Sequence, residues 1–152
     1  TANTNGCGTS DRYISSNQLD EAFRRRWGWV FMTFLSKEQE LPILKKVTND
    51  ELPTALYFKL CETASQMRAL LEPASDSDVT PIKTVMGTGT LVQWAEWITY
   101  FGDMSTIRES LDFVILNGCD DDEREDIEAC LQRVWGNKLD QKLGEWKAKK
   151  SI

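Results

Sequence analysis

From Ser36 onward the apolar positions of this chain recur at the three- and four-residue spacing of a helix, whereas the stretch before it keeps another rhythm. Residues 27–35 (WGWVFMTFL) are apolar nearly throughout and rich in aromatic and β-branched types. That composition predicts a strand covered on both faces. Ahead of it, Ser16 or Asn17 is placed to cap a short helix over 18–25. The opening 16 residues are rich in Gly, Asn, Ser and Thr and read as a strand end running into a loop. A native chain rarely begins in mid-loop, so the expectation is a truncated sequence.

Behind Ser36, which caps a helix over 37–46, Glu38 and Glu40 fall in the acidic first turns that the helix dipole favours. Asn49 or Asp50 is expected to start the next helix, with Pro53 in its first turn, where a missing N–H costs little. Leu56, Leu60, Ala64, Met67 and Leu71 form its buried stripe. Residues 73–81 read as a polar loop. Thr88 or Thr90 opens a helix that turns Leu91, Trp94, Ala95, Ile98 and Phe101 inward, and Gly102 ends it. Thr106 and Glu109 make a T-x-x-E capping box for a helix carrying Ile107, Leu111, Val114 and Ile115, with Gly118 expected as its left-handed C′ residue. The acidic run Asp120 to Glu123 begins another helix, with Ile127, Cys130, Leu131 and Val134 inward and Gly136 as its stop. Residues 138–149 predict a weak, charged terminal helix. The fold expected is mainly α, with one or two strands within 1–35 and a bundle of four to five helices within 36–152.

Charge and cysteine usage narrow the function classes. The net charge of -6 makes phosphate backbones poor general partners, so nucleic acid is not expected as one. No apolar run reaches the about 18 residues of a membrane span, and the N-terminus lacks a signal peptide's basic and apolar regions. Cys7, Cys61, Cys119 and Cys130 stand far apart without a CxxC pair, which favours free thiols in a reducing cytoplasm over a zinc site. The acidic run lacks the glycine and spacing of a calcium loop, so a helix N-terminus explains it better than a metal. There is no histidine, so any chemistry must run on carboxylates, arginines, lysines or hydroxyls. Six tryptophans and an arginine cluster would suit base stacking, yet aromatics at helical and strand spacing are mostly core.

The stretch LDEAFRRRW, from Leu19 to Trp27, concentrates the candidate chemistry. Three consecutive arginines on a helix cannot share a face, because successive residues lie about 100° apart. A rigid element behind them would make a mount for a guanidinium that reaches an anion. The plainer alternative is a solvated basic turn paired with Asp11, Asp20 and Glu21.

LDEAFRRRW followed by an apolar stretch resembles the arginine-finger segment of MoxR-type and dynein-related AAA+ ATPases. On that pattern Arg26 takes the finger's place, with Arg25 a second donor and Arg24 a weaker one. The opening TANTNG is similar to the family's sensor 1 strand end, which implies that Asn3 orients the attacking water. KEQELPIL and the run from Gly87 to Gly136 resemble the helices of the lid, most nearly in the CbbQ, NirQ and GvpN branch. The resemblance spans roughly 1–136. It implies a core remnant over 1–35 and a helical lid over 36–152. It also implies ATP and Mg²⁺ as cofactors of the complete protein, assembly into a ring (a hexamer in the family), a partner with a von Willebrand factor A domain, and a chaperone-like remodelling role. Gly89 and Thr90 stand where the family's lid approaches nucleotide, and a glycine at 89 replaces its sensor 2 arginine, with Lys83 a possible substitute. The phosphate-binding G-x-x-x-x-G-K-(S/T) loop and its Walker B acid are absent from this sequence, which predicts that the chain alone neither binds nor hydrolyses ATP. Two other readings compete: a helical interaction module without nucleotide chemistry, and part of a nucleic-acid motor of the GTPase type.

Overall fold

Residues 20–28, 33–71 and 82–148 are described by the structure, a computed structural model. The chain divides into two units, Thr1–Thr33 and Phe34–Ile152, and each is treated by itself. Among the described residues the architecture is mainly α, as the periodicity predicts, with no strand. The helices are α1 (Glu21–Arg24), α2 (Lys37–Val47), α3 (Thr54–Ala69), α4 (Thr88–Phe101), α5 (Ile107–Val114), α6 (Asp121–Trp135) and α7 (Leu143–Ala148). The first lies in the N-terminal unit and the other six in the second.

The strand expected over 27–35 is not formed at 27, 28 or 33–35, and 29–32 lie outside the described residues. Local bonding explains the difference. Trp27 N–H turns back to the Arg24 carbonyl at 3.4 Å, closing the end of α1. The Leu35 carbonyl, which a ladder would need, accepts from Arg68 Nη1 at 3.2 Å instead. The helix expected over 18–25 is seen as the single turn of α1, capped by Asp20, whose carboxylate accepts from Ala22 N–H at 3.4 Å.

Ser36 precedes α2 as expected, and its N–H donates to Gln39 Oε1 at 3.0 Å. Pro42 lies inside this helix and removes one intrahelical donor. Asn49 and Asp50 do not start α3. They adopt left-handed φ values of 51° and 55° and close α2, with Asp50 N–H reaching back to the Lys45 carbonyl at 2.7 Å. Asn and Asp tolerate that region better than bulkier residues, which is why they stand in the turn. The cap of α3 is Pro53. Tyr57, fully buried on α3, ties the turn together: its hydroxyl lies 2.5 Å from Thr48 Oγ1 and accepts from Leu52 N–H at 3.3 Å.

A second tie is a buried ion pair. Glu40 of α2 and Arg68 of α3 meet at 2.6 Å, with side chains only 1% and 8% exposed. Arg68 Nε also donates to the Met86 carbonyl at 2.7 Å, while Thr88 Oγ1 donates to Glu40 Oε1 at 2.8 Å. The Phe34 ring covers the guanidinium, 4.7 Å from its carbon to the ring centre. One pair therefore joins α2, α3, the lead-in to α4, and the segment at 34–35.

The inward stripes are those of the periodicity. Leu56, Leu60, Ala64, Met67 and Leu71 are buried, as are Leu91, Trp94, Ala95 and Ile98, and Ile127, Cys130, Leu131 and Val134; Phe101 is half-buried. Tryptophans fill the space between helices. Trp94 and Trp135 lie 5.7 Å apart, and Trp135 and Trp146 lie 5.9 Å apart. Buried indoles need partners, and Trp94 donates to the Ile107 carbonyl at 3.3 Å while Trp135 donates to Thr63 Oγ1 at 2.7 Å.

The Thr106–Glu109 capping box forms, with Glu109 N–H donating to Thr106 Oγ1 at 3.1 Å and Thr106 N–H to Glu109 Oε2 at 2.7 Å. Gly118 is not a left-handed cap, however. The helix stops at Val114, a 3₁₀ turn over Leu116–Gly118 follows, and Leu116 plugs the core. Gly102 and Gly136 do take left-handed φ values of 53° and 54° where α4 and α6 end. The terminal helix is shorter than expected and better anchored than its charge implies. Leu139, Leu143 and Trp146 are buried, and Asp103 Oδ1 accepts from Gly144 N–H at 2.5 Å. A Cβ at Gly144 would lie 2.6 Å from Asp103 Oδ2, so any larger residue there displaces the Asp103 carboxylate from its bond to the 144 N–H.

Within the acidic run at the start of α6, Glu123 has a specific task. Its carboxylate accepts from Lys83 N–H at 2.6 Å, Thr84 N–H at 3.1 Å and Thr84 Oγ1 at 2.7 Å. Burial raises its pKa, but these donors outweigh burial and hold it below the usual carboxylate value.

Two outcomes follow from these ties. Arg68→Met strands the Glu40 carboxylate in the core and is expected to cost about 3–5 kcal/mol, while the Glu40→Leu/Arg68→Met double variant costs less than the summed singles. Urea unfolding of the four proteins checks this, and additive singles would contradict it. The depressed pKa of Glu123 gives stability that is present above its unfolded value and lost as pH falls through its folded one. Acid titration of Glu123→Gln should therefore show a shallower loss of stability below about pH 4.3 than the parent chain.

Candidate functional site

The arginine cluster sits at the C-terminal end of α1, where the chain carries the cations that a helix C-terminus favours. Arg25 reaches back one turn to Glu21, Nη2 to Oε1 at 2.5 Å, with both side chains largely exposed. An exposed i,i+4 pair of this kind contributes little and exchanges easily. Arg26 lies past the last helical turn, its N–H bonded to the Phe23 carbonyl at 3.1 Å, and its side chain is exposed. Phe23 and Trp27 pack together across the same turn, ring centres 5.6 Å apart, and stay 46% and 60% exposed. Arg25 and Arg26 are exposed beside this aromatic pair and are available to an incoming anion. Asn3 lies outside the described residues.

Gly89 and Thr90 share the first turn of α4, whose cap is Gly87. A Cβ built at Gly89 meets nothing within 4 Å, so packing does not demand a glycine there. A long side chain would project from this turn without steric cost, and its absence leaves the turn with its backbone and hydroxyls alone. Thr90 is half-buried and Thr88 is held by Glu40. Lys83 is exposed, and its backbone N–H is held by Glu123.

Two features were not singled out as chemistry in the sequence. The first is the Glu40–Arg68 pair at the foot of α4, in which Glu40 Oε2 is buried without a hydrogen-bond partner. Its signal is positional: Glu40 lies one turn before buried Leu44, and Arg68 one turn after buried Ala64, so both charges stand on apolar stripes. The second is a face of exposed aromatics on α4 and α5, formed by Tyr100, Phe113 and half-buried Trp97 and Phe101.

Cys7 lies outside the described residues, and Cys61 and Cys130 are structural. Burial drives the Cys61 thiol up to about 11, raises Cys130 as well, and so keeps both protonated. Among the described residues no three His, Cys, Asp or Glu side chains are grouped to hold a metal ion, and no helix is long and apolar enough to cross a membrane.

No known family profile matches the chain, and no solved structure matches it. It is similar to the aerobic cobaltochelatase subunit CobS of Sinorhizobium sp., with 30% identity over 146 residues. The aligned region takes in 91% of this chain but 41% of that protein, so the chain spans about two fifths of its relative's length. The likeness is to a cobaltochelatase subunit and gives no support to the CbbQ, NirQ and GvpN branch in particular. At the level of the family, the similarity to CobS supports a relation of this chain to the AAA+ ATPases.

Proposed function

We propose that this chain is the C-terminal part of a ring-forming AAA+ ATPase of MoxR type, supplying an arginine finger and a helical lid for ATP-driven remodelling of a partner protein. The observation that carries the reading is the likeness to CobS, which runs along 91% of the chain and so embraces both the arginine segment and the helical bundle. The helical unit from Phe34 suits a lid, because its helices share one continuous core. Asn3 is assigned to position the attacking water, since an amide both donates and accepts.

The chemistry assigned to Arg26 follows from its side chain. A guanidinium is planar, permanently charged and matched to phosphate oxygens in a fork. Set against the γ-phosphoryl group bound by a neighbouring subunit, Arg26 would offset the charge that develops during transfer, with Mg²⁺ supplying further positive charge there when bound. Arg25 is the second donor, released from its weak pair with Glu21. In the lid, Gly89 and Thr90 offer backbone and hydroxyl groups where a sensor arginine is missing, which makes the lid's hold on nucleotide weak. The phosphate loop and Walker B acid belong to sequence outside this chain, and the chain alone is inactive. The likeness to CobS also favours one class of partner, the remaining subunits of a metal-chelatase assembly. A von Willebrand factor A domain in that partner and a hexameric ring remain part of the proposal.

Two measurements test the reading. Titration calorimetry of residues 1–152 with Mg-ATP is expected to show no binding, and micromolar affinity would contradict the assignment of the phosphate site to other sequence. In the complete protein, Arg26→Ala is expected to lower turnover by about 10³- to 10⁵-fold with ATP affinity nearly unchanged. Because the finger acts on a neighbour, wild-type subunits mixed into the ring should restore turnover at the mutant subunits' own sites. Normal turnover in a pure Arg26→Ala assembly would overturn the assignment.

A further inference from the structure

Trp97 lies at the centre of a cluster on one side of α4 and α5. Phe101 stacks on it at 4.9 Å and 15°, and Phe113 meets it edge-on at 4.8 Å. Tyr100 adds a second edge contact at 5.8 Å. Tyr100 is 74% exposed, Phe113 61%, and Met104, just beyond α4, 77%. Aromatic side chains gathered this way on a surface, rather than scattered singly, mark a place where something binds. These rings brace one another before any partner arrives, so binding has little order left to impose on them.

The rim of the face selects the chemistry of its occupant. Glu96 is one helical turn from Tyr100, Glu109 is one turn from Phe113, and Asp112 adjoins Phe113. Among the described residues Glu96 makes no ion pair. Arg108, on the same helix as Phe113, is bonded elsewhere, to Glu128 at 2.8 Å and Asp140 at 2.9 Å. Arg124 stays 3.9 Å from Asp112, whose Oδ1 has no hydrogen bond. Burial raises the Asp112 pKa; Arg108 and Arg124 draw it down, and Glu128 and Glu109 push it up again. The rim thus holds more carboxylate than its own cations neutralise. Lysine and arginine stems lie well along aromatic rings while their charged heads reach for carboxylates.

A second copy of this chain is a poor occupant. Two such faces would set carboxylates against carboxylates, and the chain as a whole carries a net charge of -6. Anionic lipid and nucleic acid are disfavoured by the same sign of charge. We propose that the aromatic face of α4 and α5 docks a basic segment of a different protein, one that carries aromatic or large aliphatic anchors between its cations. The rings would take the anchors, and Glu96, Glu109 and Asp112 would take the cations. This deepens the partner reading above and rests on it only for which protein supplies the segment, since the contact requires neither nucleotide nor a ring.

Selection of phage-displayed random peptides on residues 1–152 tests the contact. The selected sequences are expected to combine Lys or Arg with Trp, Phe or Leu, and the synthetic peptide of the strongest clone to bind more tightly than about 1 mM. Its affinity should fall as salt rises. Phe113→Ser and Glu96→Lys should each weaken it at least about tenfold. Glu51→Lys, the same change of charge in the turn between α2 and α3, should alter it by less than about twofold. All three positions are exposed, and circular dichroism checks that each variant keeps its helices. The proposal is overturned if the selected peptides lack the cations or the anchors, if none binds more tightly than about 1 mM, or if either face variant binds as well as the parent. Self-association of the chain that Phe113→Ser abolishes would give the face to a second copy. Binding to phosphatidylserine vesicles that the same variant abolishes would give it to a membrane, and either result also overturns the proposal. Normal turnover in the Arg26→Ala assembly, with peptide binding intact, would instead count against the nucleotide reading alone.

Discussion

The pairing of Glu40 with Arg68 is the constraint on which the arrangement of the helical unit depends. A carboxylate 1% exposed is tolerable in an apolar core only if a cation and further donors replace its water, and Arg68 and Thr88 do so at Oε1, leaving Oε2 without a hydrogen bond. The guanidinium spends its remaining donors on the carbonyls of Leu35 and Met86. Those two carbonyls belong to segments outside any helix, whose polar groups would otherwise lack partners. The pair therefore specifies geometry more than it adds net stability. It decides where the chain enters α2 and where it enters α4, at one point among three helices.

The same logic recurs around the unit at lower cost. Glu123 satisfies the backbone of 83–84, Asp103 the N-terminal side of α7, and Tyr57 the turn between α2 and α3. Each uses one side chain to hold a connection that the helices leave without bonds. The bundle thus has an apolar interior, built from Leu, Ile, Met and tryptophans in tilted and edge-on contact, and a set of polar side chains that position its loops. That division matters for the proposed lid. A lid must move as a body, and connections stitched to the helices suit the unit to that proposed task.

On the surface, two regions stand apart from this internal bookkeeping. Arg25 and Arg26, just past the end of α1, are exposed, and Arg25 makes a solvated pair with Glu21. The aromatic face on α4 and α5 is exposed and rimmed by carboxylates.

Much of the helical unit is determined by the sequence alone, because helix formation answers to local spacing and local caps. The stripes at 56–71, 91–98 and 127–134, the Thr106–Glu109 box and the stops at Gly102 and Gly136 follow from residues within one or two turns of each other. The candidate residues Arg25, Arg26, Gly89 and Thr90 are also visible in the sequence, though the role proposed for them comes from a resemblance and not from their spacing. What only the tertiary structure decided are features set by distant partners. Residues 33–35 have a strand's composition, but Leu35 is claimed by Arg68, 33 residues away. Asn49 and Asp50 have the chemistry of helix caps, yet the buried Tyr57 hydroxyl makes their turn the end of α2. Glu40 reads as an ordinary first-turn acid until Arg68 and Thr88 arrive from other helices. Gly118 has a C-cap's identity, but the burial of Leu116 ends the helix sooner. Periodicity reports which face of a helix is apolar; it carries no information about which polar group waits on the far side of the core.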